Sequence, residues 1–282
     1  MELHDFLYDL KLESWEWIYD EHQAYEEDIF RIDTLRARAN DLFQVGGRRY
    51  TNADMHNLAD MLENCIDGEA CRSPACKRCT RQHQIEHVTS ILETMLTELN
   101  MGTSIRYCAL HLVQYSRTIE AYEFLNYDVQ ADKDRLRKLL SSSGIDGPVL
   151  GSLEMDFHKS PQKWLSHYHL LTKLTGNEQA LGRLSDKIKR LHPEHIKSGV
   201  TARPFMVQKI GNPVKQLSYL CKLGFNEVRD YKTNGFRRCT KKYRLDTLLF
   251  CDYLCWMNEL GRRKFLFQYR AREWKKIKRS EF

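Results

Sequence analysis

His167-Tyr168-His169 is the part of this 282-residue chain whose residue types and spacing best suit a metal ion. In an extended strand alternate side chains share a face, so the two imidazoles project together while Tyr168 points into the opposite layer. Two adjacent imidazoles supply half of a metal site. Gly151 to Phe157 reads as a second strand with Glu154 near its middle, and an antiparallel connection through Lys159, Ser160 and Pro161 brings Glu154 toward the histidines as a third ligand. Asp156 and His158 are the alternatives.

A second concentration of ligand types lies upstream, where Cys65, Cys71, Cys76, Cys79, His83 and His87 fall within one short span. Cys76-x-x-Cys79 can chelate structural zinc from a tight turn, with Cys71 as third ligand and either His83 or Cys65 as fourth. The chain has 9 cysteines and no secretory context, which favours reduced thiols or metal ligands over a disulfide framework. A third combination is Tyr219 with Lys222. Asn212-Pro213 is a helix-start signal, and on a helix over 213–223 the three-residue separation presents a phenol and an ammonium on one face.

The elements around these residues follow from periodicity. Apolar residues at helical spacing, among them Phe6, Leu10, Trp15, Ile18, Ile32, Leu35 and Phe43, predict a helical amino-terminal region that stops at Gly46-Gly47. Trp15 and Trp17 read as core or docking residues there, because acidic surroundings repel phosphate. Thr51 with Asp54 can cap a further helix to about Asn64, and Gln84 to Asn100 is amphipathic. Ser104 to Ser116 reads as the first strand of a sheet, Ile119 to Leu140 as a charged helix, Asn177 to Leu191 as a helix, Arg203 to Lys209 as a strand, and Leu245 to Leu260 as an apolar helix.

Composition describes a folded chain with no apolar run long enough to span a bilayer, and a cytoplasmic location is expected. The net charge of +6 conceals an asymmetry: residues 1–70 carry 6 basic and 17 acidic side chains, the remainder 38 and 21. A surface of that sign suits a nucleic acid. The last stretch, Gly261 to Phe282, holds 9 basic and 2 acidic residues, and Arg262, Arg263 and Lys264 are its candidate phosphate contacts.

In order and separation, the strand SIRYCALHLV, the Glu154 strand, His167-Tyr168-His169 and Tyr219-x-x-Lys222 resemble the motifs of the HUH endonuclease superfamily, within it the rolling-circle replication initiators of plasmids and phages. The resemblance covers about residues 100 to 270, and the cysteine-rich segment is similar to one that precedes the nuclease core in several initiators. Tyr107-Cys108-Ala109-Leu110 is less threonine-rich than the usual first motif, and Leu223 stands where two-tyrosine members carry a second tyrosine, which points to the single-tyrosine group.

The resemblance implies an α+β fold, an antiparallel central sheet with flanking helices. Residues 1–100 would form a helical region with the cysteine-rich segment at 65–87, residues 101–270 the nuclease domain and 271–282 a basic tail. It further implies a site-specific nickase that uses Mn²⁺ or Mg²⁺ at His167, His169 and Glu154, Tyr219 as nucleophile and Lys222 as its helper. Its partners would be single-stranded or hairpin origin DNA and a host helicase. A mobilisation relaxase or single-tyrosine transposase shares this chemistry, and a non-catalytic zinc-containing DNA-binding regulator is the alternative of another class.

Overall fold

The computed structural model describes residues 18–41, 49–66, 69–100, 105–193, 203–232 and 238–273. Phe6, Leu10, Trp15, Trp17, Phe43, the Gly46-Gly47 stop and the tail from Trp274 onward lie outside them. Helix α1 (Glu21–Ala39) starts at Asp20, whose carboxylate accepts the Gln23 N–H at 2.7 Å while the Gln23 side chain accepts the Asp20 N–H at 3.1 Å. Reciprocal bonds of this kind satisfy amides that a helix start leaves orphaned. Helix α2 (Asn52–Ile66) starts the same way on Thr51 and Asp54, at 2.7 and 3.2 Å, as their spacing predicts. Helix α3 (Lys77–Asn100) begins a full seven residues before the expected Gln84. Its cap comes from another helix: buried Asp28 of α1 accepts the Lys77 and Arg78 N–H groups at 2.6 and 2.9 Å.

The rest of the chain runs β1 (Tyr107–Val113), β2 (Ile119–Glu120), α4 (Val129–Ser143), β3 (Val149–His158), β4 (Lys163–Lys173), α5 (Glu178–Leu191), β5 (Phe205–Lys209), α6 (Pro213–Leu220), β6 (Glu227–Lys232), β7 (Arg238–Tyr243), α7 (Thr247–Leu260), α8 (Arg262–Phe265) and β8 (Leu266–Tyr269). The expected helix over 119–140 is replaced by β2, short turns and α4. Ile119 pairs with Trp164, the Trp164 indole donates to the Ala121 carbonyl at 2.8 Å, and Asp128 caps a helix that starts only at Val129.

The sheet order is β5-β1-β4-β3-β6-β7, with β2 on β4 and β8 on β3. It is mixed, not purely antiparallel, because β6 runs parallel to β3 through Phe157↔Glu227 and His158↔Val228. Between β5 and β6 the chain must cross from one side of the sheet to the other. Lys209 leaves at the level of Cys108 and Thr172, whereas Glu227 arrives opposite Phe157. The crossing is made by α6 and the turn after it, which therefore lie diagonally over the middle of one sheet face.

Strand alternation divides the side chains between two layers. Leu110, Leu112, Leu153, Met155, Phe157, Trp164, Tyr168 and Leu170 face one way, into a buried cluster shared with α4, α5 and α7 and continuing through α7 to Leu35 of α1 and Leu62 of α2. Tyr107, Ala109, Leu150 and Leu171 face the other way and pack beneath α3 and α6 through Val88, Ile91, Leu92, Val214, Leu217 and Leu220. Among the described residues no helix is long and apolar enough to cross a membrane.

Gly151 marks a close approach of β3 to β4. A Cβ there would lie 1.9 Å from the His169 carbonyl oxygen and 2.8 Å from Leu170 Cα, both backbone atoms that cannot swing aside. Gly151→Ala is therefore expected to lower stability by about 1–3 kcal/mol, the usual cost of overpacking, and to shift the strand that carries the histidines. Denaturant titration measures it, and a midpoint equal to wild type would contradict the close approach.

Candidate metal and nucleophile site

Antiparallel register places Glu154 opposite His167, and His169 opposite both Ser152 of β3 and His111 of β1. Residues opposite one another share a face, so three histidines and a carboxylate converge beneath α6. His111, His167 and His169 each offer a ligand atom within 4.8 Å of the other two. Glu154 Oε2 lies 3.3 Å from His167 Nε2 and 3.7 Å from His169 Nε2. Asp156, two residues along the same face, is engaged by Lys242 at 2.8 Å and Asn226 at 3.1 Å, and His158 sits at the strand end opposite Lys163.

The buried atoms of this cluster suit a cation. Among the described residues, both Glu154 carboxylate oxygens and His169 Nε2 are buried and make no hydrogen bond; besides the imidazoles, Glu154 Oε2 faces only the Lys222 ammonium at 3.8 Å, beyond hydrogen-bond range, and a cation among these atoms would satisfy them. Burial, reinforced by His169 and His167, pushes His111 down to about 3, and burial likewise lowers His169, so both rings are neutral at pH 7 with lone pairs available. His167 Nδ1 lies 3.4 Å from the Leu165 carbonyl, a contact that leaves Nε2 turned to the cluster. Burial raises Glu154, but Lys222 and the two histidines outweigh it and hold the carboxylate well below its ordinary range.

Tyr219 is delivered by the crossing helix. Asn212 caps α6 by accepting the Lys215 N–H at 3.0 Å, with Pro213 as first helical residue. Two side chains pin the helix and the turn after it over the sheet: Gln84 of α3 donates to the Ser218 carbonyl at 2.6 Å, and Ser152 of β3 donates to the carbonyls of Leu220 and Lys222 at 2.7 and 3.0 Å. The Tyr219 ring then meets the His169 ring edge-on at 4.5 Å between centroids. The helix ends at Leu220, short of the expected 223, because its last turn closes on Cys221. Lys222 consequently reaches the site from a turn; its Nζ lies 5.2 Å from the Tyr219 ring centroid and 3.8 Å from Glu154. Burial and then Glu154 raise the Tyr219 phenol, against the opposing pull of Lys242.

The four cysteine sulfurs of Cys65, Cys71, Cys76 and Cys79 form a separate cluster within 4.8 Å of one another. Pairs stand 3.5, 3.7 and 3.8 Å apart, against edges of about 3.8 Å for a tetrahedron with metal–sulfur bonds of about 2.3 Å. Backbone N–H groups of Cys71, Arg72 and Cys79 point at the sulfurs of Cys65, Cys79 and Cys76 at 3.3–3.4 Å, an arrangement that favours thiolates. The donor set fits a tetrahedral metal ion. Cys65 occupies the fourth corner and His83 does not; the His83 ring stacks on His87 at 5.6 Å instead, one helical turn along α3.

Arg262 and Arg263 line a cavity of about 630 Å³ beside these cysteines, where Arg262 donates to the Cys79 carbonyl at 3.2 Å, and neither lines the cavity that holds Tyr219. The Lys264 carbonyl, with that of Arg263, accepts from Lys133.

Two contributors escaped sequence reasoning. His111 stands between Leu110 and Leu112, and alternation alone puts it on the face opposite theirs; recognising it as a ligand also requires knowing that β1 pairs with β4. Lys242 arrives on the β6–β7 hairpin, whose strands are so charged that they carry no apolar alternation. No family model, no curated protein and no solved structure matches the chain.

Proposed function

We propose that the protein is a metal-assisted nickase that cleaves single-stranded DNA by transesterification onto Tyr219, as a rolling-circle replication initiator does. The observation that carries this reading is the edge-on approach of the Tyr219 ring to His169 within a three-histidine cluster. A divalent ion held by His111, His167, His169 and Glu154 would supply positive charge to the scissile phosphate. The Tyr219 oxygen attacks phosphorus, the bond to the 3′ oxygen breaks, and the phenol gives up a proton as the leaving oxygen gains one. The products are a 5′-phosphotyrosyl enzyme and a free 3′-hydroxyl. The ester retains the bond energy, so religation is the reverse attack and needs no nucleotide. Lys222 and Lys242, both close to the carboxylates of the site, neutralise the incoming phosphate. The four-cysteine cluster, in this reading, binds one structural zinc.

The test is incubation with labelled single-stranded oligonucleotides and Mn²⁺, followed by a search for a protein–DNA adduct that survives boiling in detergent. A non-catalytic DNA-binding regulator gives none. A His167→Ala/His169→Ala variant should stay folded and lose the adduct. His111→Ala should need about 10-fold or more extra Mn²⁺ for half-maximal adduct formation, the scale seen even for groups that only orient a ligand. An unchanged Mn²⁺ dependence would remove His111 from the site.

A further inference from the structure

Tyr219 and Lys222 stand between two depressions. On one side Tyr219 borders a cavity of about 410 Å³ with His111, His169 and Met206. On the other, Lys222 and Lys242 form the inner end of a groove of about 680 Å³ that runs outward between β7 and helix α1. Its walls combine two kinds of side chain. Lys77, Lys222, Lys242 and Arg244 contribute four cations against the carboxylates of Glu26 and Glu27. Glu27 is already matched, by Arg31 at 3.0 Å and by Arg244 through both oxygens at 3.0 and 2.9 Å. Two aromatic rings lie exposed among the cations: Tyr19 is 42% exposed and Phe30 40%. The Lys77 ammonium stands 4.0 Å from the centre of the Tyr19 ring, and the Arg244 guanidinium 3.8 Å from that of Phe30.

Alternating cations and exposed rings are what an unpaired strand requires, because phosphates need positive charge and only unstacked bases have free faces to lay on a ring. A duplex keeps its base faces covered and would leave the rings idle. The groove ends at the two lysines beside the Glu154 and Asp156 carboxylates, and Lys222 Nζ lies 5.2 Å from the Tyr219 ring centroid, so a strand lying in the groove comes within reach of Tyr219. We propose that this groove holds the single-stranded DNA flanking the scissile phosphate, with Lys77 facing its phosphates and Tyr19 and Phe30 stacking its bases. The proposal rests on the nickase reading above. It also draws the cysteine segment into DNA binding, because Lys77 follows Cys76 directly and its N–H is held by Asp28 of α1, so that the sulfur cluster sets the outer wall of the groove.

The experiment uses the full chain carrying Tyr219→Phe, so that binding is read without covalent capture, and follows the anisotropy of fluorescein-labelled (dT)20 over a range of salt. Adding Tyr19→Ala should weaken binding about 10-fold, within the usual range for losing one stacked base, while Tyr19→Phe keeps the ring and the affinity. Lys77→Ala should make the salt dependence shallower by about 0.7 in log–log slope, one phosphate contact on a single strand. Circular dichroism confirms that each variant is folded. Affinity and slope unchanged in both alanine variants would overturn the groove, as would a duplex that competes equally well. The adduct assay keeps the two readings apart. Adduct formation by the wild-type tyrosine chain, with binding blind to Tyr19 and Lys77, removes the groove alone. Binding that depends on both residues, with no adduct, removes the nickase alone.

Discussion

A Tyr219→Phe protein is expected to fold and bind single-stranded DNA as wild type does, yet to form no covalent adduct. The substitution removes one hydroxyl and leaves the ring, so the contact with His169 at 4.5 Å and the packing of α6 through Val214, Leu217 and Leu220 persist. Stability should change by no more than about 1 kcal/mol, the scale of one net hydrogen bond. Adduct formation, in the proposed reaction, would by contrast depend wholly on the oxygen. In the metal-free chain that oxygen is held as a phenol, because burial and Glu154 both oppose its ionisation. In the proposed reaction, activation would come from positive charge brought to the cluster, and adduct formation is expected to depend on Mn²⁺ and Tyr219 together. The readout is a denaturing gel of labelled oligonucleotide after boiling in detergent. Adduct at the wild-type rate from Tyr219→Phe would exclude this residue, and peptide mapping would then identify the nucleophile. Tyr231 and Tyr243, both on the β6–β7 hairpin, are 49% and 39% exposed and do not border the Tyr219 cavity.

What the sequence reveals of this site is whatever local patterns encode. A His-x-His in a strand announces its own geometry, since the period of two needs no partner to put both rings on one face. The Asn212-Pro213 start of α6 and the Thr51–Asp54 cap of α2 are equally local, and both helices begin where those residues predict. The misses in how the site is assembled are mainly tertiary. Spacing leaves the fourth ligand open between Cys65 and His83, and Cys65 completes the sulfur cluster because α2 ends beside the start of α3. The parallel β3–β6 pairing depends on how far α6 carries the chain, and Lys242 belongs to an edge hairpin stabilised by backbone pairing and ion pairs with little apolar burial. Propensity and periodicity do not encode which strands become neighbours, and His111 gains its meaning only from such a neighbour.

The sulfur cluster leads to the largest expected effect on stability. Protein purified without chelators should contain one zinc per chain, and removing it should unfold the region where α1, α2 and α3 meet. Cys65 closes α2, Cys76 and Cys79 flank the first turn of α3, and Cys76 Sγ lies 3.4 Å from the Asp28 carboxylate that ties α3 to α1, so one ion would link three helices. Zinc-finger peptides gain about 10–16 kcal/mol from such an ion at pH 7, comparable with the whole stability of about 5–15 kcal/mol of an ordinary domain. Cys79→Ser is therefore expected to yield protein without zinc and largely insoluble. Two further variants decide the ligand set. Cys65→Ser should lose zinc, whereas His83→Ala should keep it, because His83 stacks on His87 and its ring is not in the sulfur cluster. Affinity should fall as pH is lowered, since each coordinating cysteine thiol must lose its proton to bind. Elemental analysis alongside thermal unfolding measures both effects. Retained zinc in Cys65→Ser with loss in His83→Ala would reverse the assignment of the fourth ligand. Metal-free wild-type protein with an undiminished melting temperature would show that the four sulfurs hold these helices together as thiols alone.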